Sequence, residues 1–346
     1  MAYISFQPSD FFNALLYTGT GASNAVTGVG FQPDMVWIKN RTASGDHSLQ
    51  DAVRGTTKTI IPNGNDEEQT YTNGLTAFGA DGFTVGSQAI FNGDTNKIVS
   101  WNWKAGTTTG LSGGTLTPTA YSINTTSGFG IYQYTGTGSV ATIAHGLGVA
   151  PECVIVKRTD TGGNNWAVYH ASNTADPASE VLALNTDAVT DDDVNNWNDT
   201  KPDATVFTIK SDTKVNGSGN TYIAYCFAPI KGYSKFGSYI GNNSTDGPVC
   251  YTGFRPAMII RKRSLGSTED WAILDNKRLG YNPNNAYLFP NEPQAESDLE
   301  RIDFNSNGFK LRTTDDGDNA SAGTYLYMAF AEFPIVSSNS KAGTAR

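Results

Sequence analysis

Short apolar runs bounded by Gly, Asn, Asp and Pro fill this chain, and no long stretch keeps a 3.6-residue period. Three runs share one setting: Met35-Val-Trp-Ile38, Cys153-Val-Ile-Val156 and Met258-Ile-Ile-Arg261. Each follows a Gly-x-x-Pro turn, at Gly30 to Pro33, Gly148 to Pro151 and Gly253 to Pro256. A lysine stands six residues after each proline, at Lys39, Lys157 and Lys262, with an arginine at once or nearly so, at Arg41, Arg158 and Arg263. The first two runs are apolar throughout, which predicts strands covered on both faces. A second strand is predicted after a polar loop: Trp166-Ala-Val-Tyr-His170 and Trp271-Ala-Ile-Leu-Asp275, with His47-Ser-Leu-Gln-Asp51 as the counterpart without tryptophan. Two of these enter a basic turn, at Arg54 and Arg278, which the middle one lacks. A Phe-containing strand follows in each (82–85, 206–209, 308–311), then an aromatic last strand (98–103, 222–227, 325–330). Ahead of each set lies an aromatic and Gly-rich turn, Tyr17-Thr-Gly-Thr-Gly21, Tyr134-Thr-Gly-Thr-Gly138 and, more loosely, Tyr239-Ile-Gly-Asn-Asn243.

The same landmarks in the same order define a repeat of roughly 100 residues. The expected architecture is all-β, with three tandem β-sandwich domains of jelly-roll or concanavalin-like type. The expected boundaries are 1–105 for an N-terminal segment plus repeat one, 129–230 for repeat two and 231–335 for repeat three, with a loose tail at 336–346. The interval from Pro33 to Pro151 exceeds that from Pro151 to Pro256, and the surplus falls in residues 106–128, a Thr/Ser/Gly-rich linker. The second join is short, so repeats two and three are expected in a more fixed relation than one and two. The first and last strands are expected as central neighbours in one sheet, with Trp103, Phe227 and Phe330 in the core. Short helices are expected only around 176–182 and 294–299. The N-terminal segment is too apolar for a free tail: Phe6, Phe11 and Phe12 either complete repeat one as an edge strand or dock onto another protein.

Composition agrees with a turn-rich β protein. Of 346 residues, 16% are charged and 37 are glycine, so Thr, Ser, Asn and Gly make the polar surface. A net charge of −9 without a Lys/Arg cluster argues against nucleic acid, and no stretch is long and apolar enough to insert in a membrane. Cys153, Cys226 and Cys250 are odd in number and without a CxxC, so they read as buried strand thiols of a chain folded in a reducing cytosol. The N-terminus has no secretory signal character.

Candidate chemistry is sparse. His47, His145 and His170 belong to no catalytic motif, His170 aligns with Asp275 and Asp51, and no enzyme activity or cofactor is expected. The repeated Lys39, Lys157 and Lys262, with Arg41, Arg158, Arg263, Arg54 and Arg278, are candidates for an interface or a groove; the plainer reading lays each lysine stem over a sheet. Asp315-Asp-Gly-Asp318 and Asp187 with Asp191 to Asp193 lack the order of a calcium loop and read as turns, so no metal is expected. Most aromatics fall at alternating strand positions; Trp197, in the polar loop Asn195-Asn-Trp-Asn198, is the best exception and the candidate for stacking on a sugar.

The opening Ile4-Ser-Phe-Gln-Pro-Ser-Asp-Phe-Phe-Asn13, the Gly-Phe-x-Pro strand with its Lys and Arg, and Gly280-Tyr-Asn-Pro283 resemble a domain of unknown function that recurs in virion structural and fibre-like proteins of tailed phages, especially marine ones. The resemblance implies a virion component (tail fibre, capsid fibre or decoration) made in the host cytoplasm. Its implied partners are other virion proteins and further copies of itself in a trimer or ring. Recognition of host surface glycans is the alternative, and a glycan-degrading enzyme with paired carboxylates a more distant one.

Overall fold

The computed structural model describes residues 5–278, 282 and 284–334. Repeat one contains β1 (Phe12–Thr18), β2 (Asn24–Thr27), β3 (Met35–Asn40), β4 (Ser48–Asp51), β5 (Lys58–Thr59), β6 (Gln69–Thr70), β7 (Leu75–Gly79), β8 (Gly82–Val85), the helical turn α1 (Ala89–Asn92) and β9 (Lys97–Trp103). Repeat two contains β10 (Ala120–Asn124), β11 (Phe129–Thr135), β12 (Ala141–Ala144), β13 (Cys153–Arg158), β14 (Ala167–His170), β15 (Glu180–Ala183), β16 (Asp191–Asp192), β17 (Val206–Ile209) and β18 (Thr221–Phe227). Repeat three contains β19 (Ser234–Ile240), β20 (Val249–Tyr251), β21 (Phe254–Leu265), β22 (Ala272–Asp275), β23 (Asn284–Tyr287), β24 (Ser297–Asn305), β25 (Gly308–Leu311), the helical turn α2 (Asp316–Asn319) and β26 (Thr324–Pro334).

The fold is all-β with several antiparallel sheets. The same inner sheet recurs three times: β1-β9-β3-β4, β11-β18-β13-β14 within a longer sheet, and β19-β26-β21-β22. A smaller outer sheet accompanies each, built on β2-β8, β12-β17 and β20-β25. The predicted central strands are neighbours in every repeat, as in the pairing Trp37↔Trp101 of β3 with β9. Gly30, Gly148 and Gly253, which open the turn before this strand, all sit at positive φ (87°, 73° and 87°), where a side chain would be strained.

Strand pleating divides each inner sheet between two cores. In β3, Met35 and Trp37 enter a central core while Val36 and Ile38 enter the outer core of repeat one. Cys153 and Ile155 of β13 alternate with Val154 and Val156 in the same way, as do Met258 and Ile260 of β21 with Ile259. The central core is common to all three repeats. Trp103, Phe227 and Phe330, equivalent residues of the last strands, meet there, with ring centroids 6.4, 5.6 and 5.8 Å apart. Beside them lies an apolar cavity of ≈20 Å³ lined by residues of every repeat, including Met35, Ile155 and Ile260. The repeats therefore share a central core in addition to the outer core that each keeps.

Two further expectations are corrected and one open alternative is resolved. Residues 106–128 are no free linker: β10 pairs with β11, Leu116 is buried, and Lys157 Nζ and the Tyr225 hydroxyl of repeat two bond directly to repeat one. Residues 176–182 and 294–299 are not helical; their last residues enter β15 and β24, which pair with β14 and β23. The N-terminal segment resolves in favour of the edge strand: β1 pairs along its whole length with β9, and Phe12 stacks on Phe330 at 5.3 Å. Phe6 and Phe11 lie edge-on to Tyr233, so these rings cover the chain's own core. The tail at 336–346 and three of the four residues in Gly280-Tyr-Asn-Pro283 lie outside the described residues.

A shared core predicts one cooperative unfolding event. Trp103→Ala should cost about 3–5 kcal/mol and shift a single urea transition for the whole chain. Separate transitions for the repeats, with only one displaced, would contradict the shared core.

Candidate functional site

The three lysines that recur with the repeat lie at three seams where the repeats meet. Each lysine side chain is buried and crosses its seam to a backbone carbonyl of the neighbouring repeat. Lys39 Nζ donates to Pro293 O (3.1 Å), Lys157 Nζ to Asn65 O (3.1 Å) and Lys262 Nζ to Asp187 O (2.9 Å). The same three carbonyls accept a backbone N–H from Gly45, Gly163 and Glu269. Repeat one thus reaches repeat three, three reaches two, and two reaches one, which closes a ring. No carboxylate bonds to these ammonium groups among the described residues. Burial pushes each pKa down to about 8, with Arg261 a further depressing charge on Lys262 and Arg158 on Lys157.

A second slot at each seam holds four positions that vary together. Between repeats one and two, the Tyr225 hydroxyl donates to Asp51 (2.7 Å), and Arg54 pairs with Asp51 (2.6 Å) and Glu68 (3.3 Å). Between three and one, Trp101 Nε1 donates to Asp275 (2.9 Å), and Arg278 pairs with Asp275 (2.6 Å) and Glu296 (3.1 Å). Arg41 holds Glu296 from across the seam through two bonds of 2.7 and 2.8 Å. Burial alone would raise the Asp275 carboxyl; the Arg278 guanidinium and the bonds from Arg278 and Trp101 hold it below its ordinary value.

Between two and three every member differs. His170 stands for the aspartate, Met328 for the aromatic donor and Thr190 for the glutamate, and no arginine turn follows. His170 Nε2 faces Tyr327 O (3.1 Å) and Nδ1 accepts from Ser172 N (3.2 Å), and burial pushes its pKa down to about 4. A neutral imidazole beside a thioether fills the slot without charge. This explains the missing basic turn of repeat two.

The tryptophan missing from repeat one has a similar account. Trp166 Nε1 donates to Ile61 O (3.1 Å) and Trp271 Nε1 to Ala183 O (2.9 Å), each across a seam. His47 takes that position in repeat one, and Trp37 on the adjacent strand fills the space and donates to His47 Nδ1 (2.9 Å). Burial, with Lys39 and Arg278 nearby, keeps the imidazole neutral; the Phe289 backbone opposes this.

The other singled-out residues do not join these slots. Strand register aligns Arg158 and Arg263 with Asn40, so Arg41 is not their equivalent. Arg158 pairs with Asp160 (2.7 Å), and Arg263 lies 3.8 Å from Glu269. Trp197 is buried at 2% exposure against Tyr169, so its ring offers no platform to a sugar. His145 is held by Asp203 O and Leu147 N, as a turn residue. Asp315 caps α2, while Asp318 pairs with Arg261 and Arg301.

Two sets of asparagines escaped the sequence reading. Asn63, Asn185 and Asn291 each accept the backbone N–H of residue 47, 166 or 271, which anchors the loop that the next repeat's lysine reaches. Asn92, Asn216 and Asn319, all fully buried, bond both limbs of the first Gly-rich turn, at Thr20 and Ala22, Thr137 and Ser139, and Asn242 and Ser244. There a Cβ on Gly19, Gly136 or Gly241 would fall 2.0–2.4 Å from a backbone oxygen. The second set stands nine, nine and ten residues after Phe83, Phe207 and Phe309, a spacing that could have revealed it.

Asp275→Ala leaves the buried Arg278 guanidinium short of a carboxylate and should cost about 3–5 kcal/mol in urea unfolding at pH 7; a loss below about 1 kcal/mol would mean the pair is solvated. The lysines predict an alkaline effect of defined sign. The unfolded chain holds their protons more tightly than the folded one, so their cost is complete below pH 8 and is relieved as pH rises toward 10.5. The stability of the native chain relative to Lys157→Met should rise by about 2 kcal/mol between pH 7 and 9.5. A pH-independent difference would show that the ammonium is not desolvated.

No curated protein is similar to this chain at a significant level, and no solved structure is either. The sequence model of a family described as Domain of unknown function (DUF7483) matches residues 7–334, a span that takes in the N-terminal segment, all three repeats and the joins between them. The unit that this family describes is therefore the whole closed ring and not one repeat, and the chain belongs to the DUF7483 family.

Proposed function

We propose that this protein is a structural component of a tailed-phage particle, in a fibre, tail or capsid-decoration position. Closure of the ring within one chain is the observation that supports the reading best. The repeated cations and rings hold the three repeats together, and the product is a stiff body with approximate threefold symmetry, suited to a threefold site of a larger assembly. Each repeat, an inner and an outer sheet around a core, is read as a two-layer sandwich of jelly-roll type. The single chain already supplies the arrangement that a homotrimer would, so we read one chain as the building block and any homo-oligomer as an assembly of such rings. With Trp197 buried, the glycan reading loses the residue that motivated it.

A cryo-EM map of the intact phage, with mass spectrometry of the purified particle, tests this. A lobe of three sheets at a fixed symmetric position supports the proposal. Purified particles without the protein would refute it.

A further inference from the structure

Each seam carries an equivalent groove. One wall is the residue before Met35, Cys153 or Met258 (Asp34, Glu152 or Ala257), and the other is the first strand of the next repeat's inner sheet (β11, β19 or β1). The groove between repeats one and two is filled by the chain itself. β10 adds to the edge of β11, from Ala120↔Gln133 to Asn124↔Phe129. Asp34 accepts from Ala105 N (2.8 Å) and Ser122 Oγ (3.1 Å). Upstream, Thr115 N and Leu116 N both donate to Thr142 O on β12, so one extended segment closes the edges of both sheets of repeat two.

The groove between repeats three and one has alanine in place of the carboxylate and is narrowed from the N-terminal side, leaving a smaller cavity between Ser9, Asn13 and Ala257. There Asn13 Nδ2 donates to Ser9 O (3.1 Å), and the 3₁₀ turn Pro8–Asp10 packs on β26 and β1. The groove between repeats two and three keeps a carboxylate, Glu152, yet no segment of the described chain lies in it. β19 is an unpaired sheet edge, and Lys235 Nζ ties it to Tyr251 O on β20 (2.6 Å). Along β19 and β20, Ile240 (56%), Val249 (59%) and Tyr251 (57%) are exposed, Tyr251 beside Glu152 in the groove, where repeat two has Thr135, Thr142 and Ala144. The Glu152 carboxylate makes no hydrogen bond among the described residues, and burial raises its pKa against the pull of Lys235.

We infer that this third groove receives an extended segment of a partner polypeptide, which adds as a strand to β19. The chain's own residues 105–124 define the chemistry of the occupant: a Ser/Thr/Gly-rich strand with an occasional apolar side chain to cover the edge. Glu152 receives its backbone N–H or hydroxyl, as Asp34 does in the filled groove. The inference goes beyond the particle assignment and does not depend on it.

A synthetic peptide of residues 105–124, titrated into the ¹⁵N-labelled full chain, tests it. The expected result is saturable amide shifts confined to residues 234–240 and 249–253. Thr119 N donates to Gln133 O, so the backbone groups at that position face outward, and Ser238 is its equivalent on β19. Ser238→Pro removes the outward N–H and should abolish the shifts. Glu152→Ala should weaken binding at least about tenfold, and carries the test if the proline variant does not fold. No shifts at saturating peptide, or shifts elsewhere, would overturn the proposal. So would a dimer in sedimentation velocity that Ser238→Pro dissolves, because the occupant would then be a second copy of this chain.

Discussion

Trp103, Phe227 and Phe330 meet at one point, and the rest of the architecture follows from that contact. A four-stranded sheet with two apolar faces must bury both. Each outer face has its own small sheet; the inner faces have only one another. Three equal sheets around an axis cover all three inner faces at once. The repeats are thus bound together by the same kind of burial that stabilises each of them.

Such closure sets a polar condition. Loops between strands end at the seams, and their carbonyls lose water when the ring forms, so each needs a donor from across the seam. One lysine per repeat supplies it, at the expense of desolvating an ammonium. The second slot admits two solutions, a charged one with Asp, Arg, Glu and an aromatic donor, and a neutral one with His170, Thr190 and Met328. A mixture would leave a buried charge or donor without a partner, which explains why all four positions change together.

Much of the fold was legible in the sequence. The Gly-x-x-Pro turns, the apolar runs and the aromatic last strands fixed three equivalent inner sheets with β3 beside β9, β13 beside β18 and β21 beside β26, because period and turn chemistry are local properties. The lysines were legible as recurring positions. Their partners were not, since loops of different length carry Asn65, Asp187 and Pro293 to the seams. The apparent gaps, no tryptophan at position 47 and no arginine turn after His170, were visible as departures. Only the structure shows each to be compensated, at Trp37 within repeat one and at Met328 and Thr190 across or beside a seam.

The sequence by itself determined the strands, their order within a repeat and the number of repeats, all of which depend on neighbours along the chain. It pointed to a linker and separate domains because residues 106–128 have a linker's composition. Tertiary structure decided otherwise: β10 found the open edge of β11, and three apolar sheet faces found each other. Composition records how well a segment packs alone, whereas burial depends on which surface it meets, and that surface is made by residues far away in the chain.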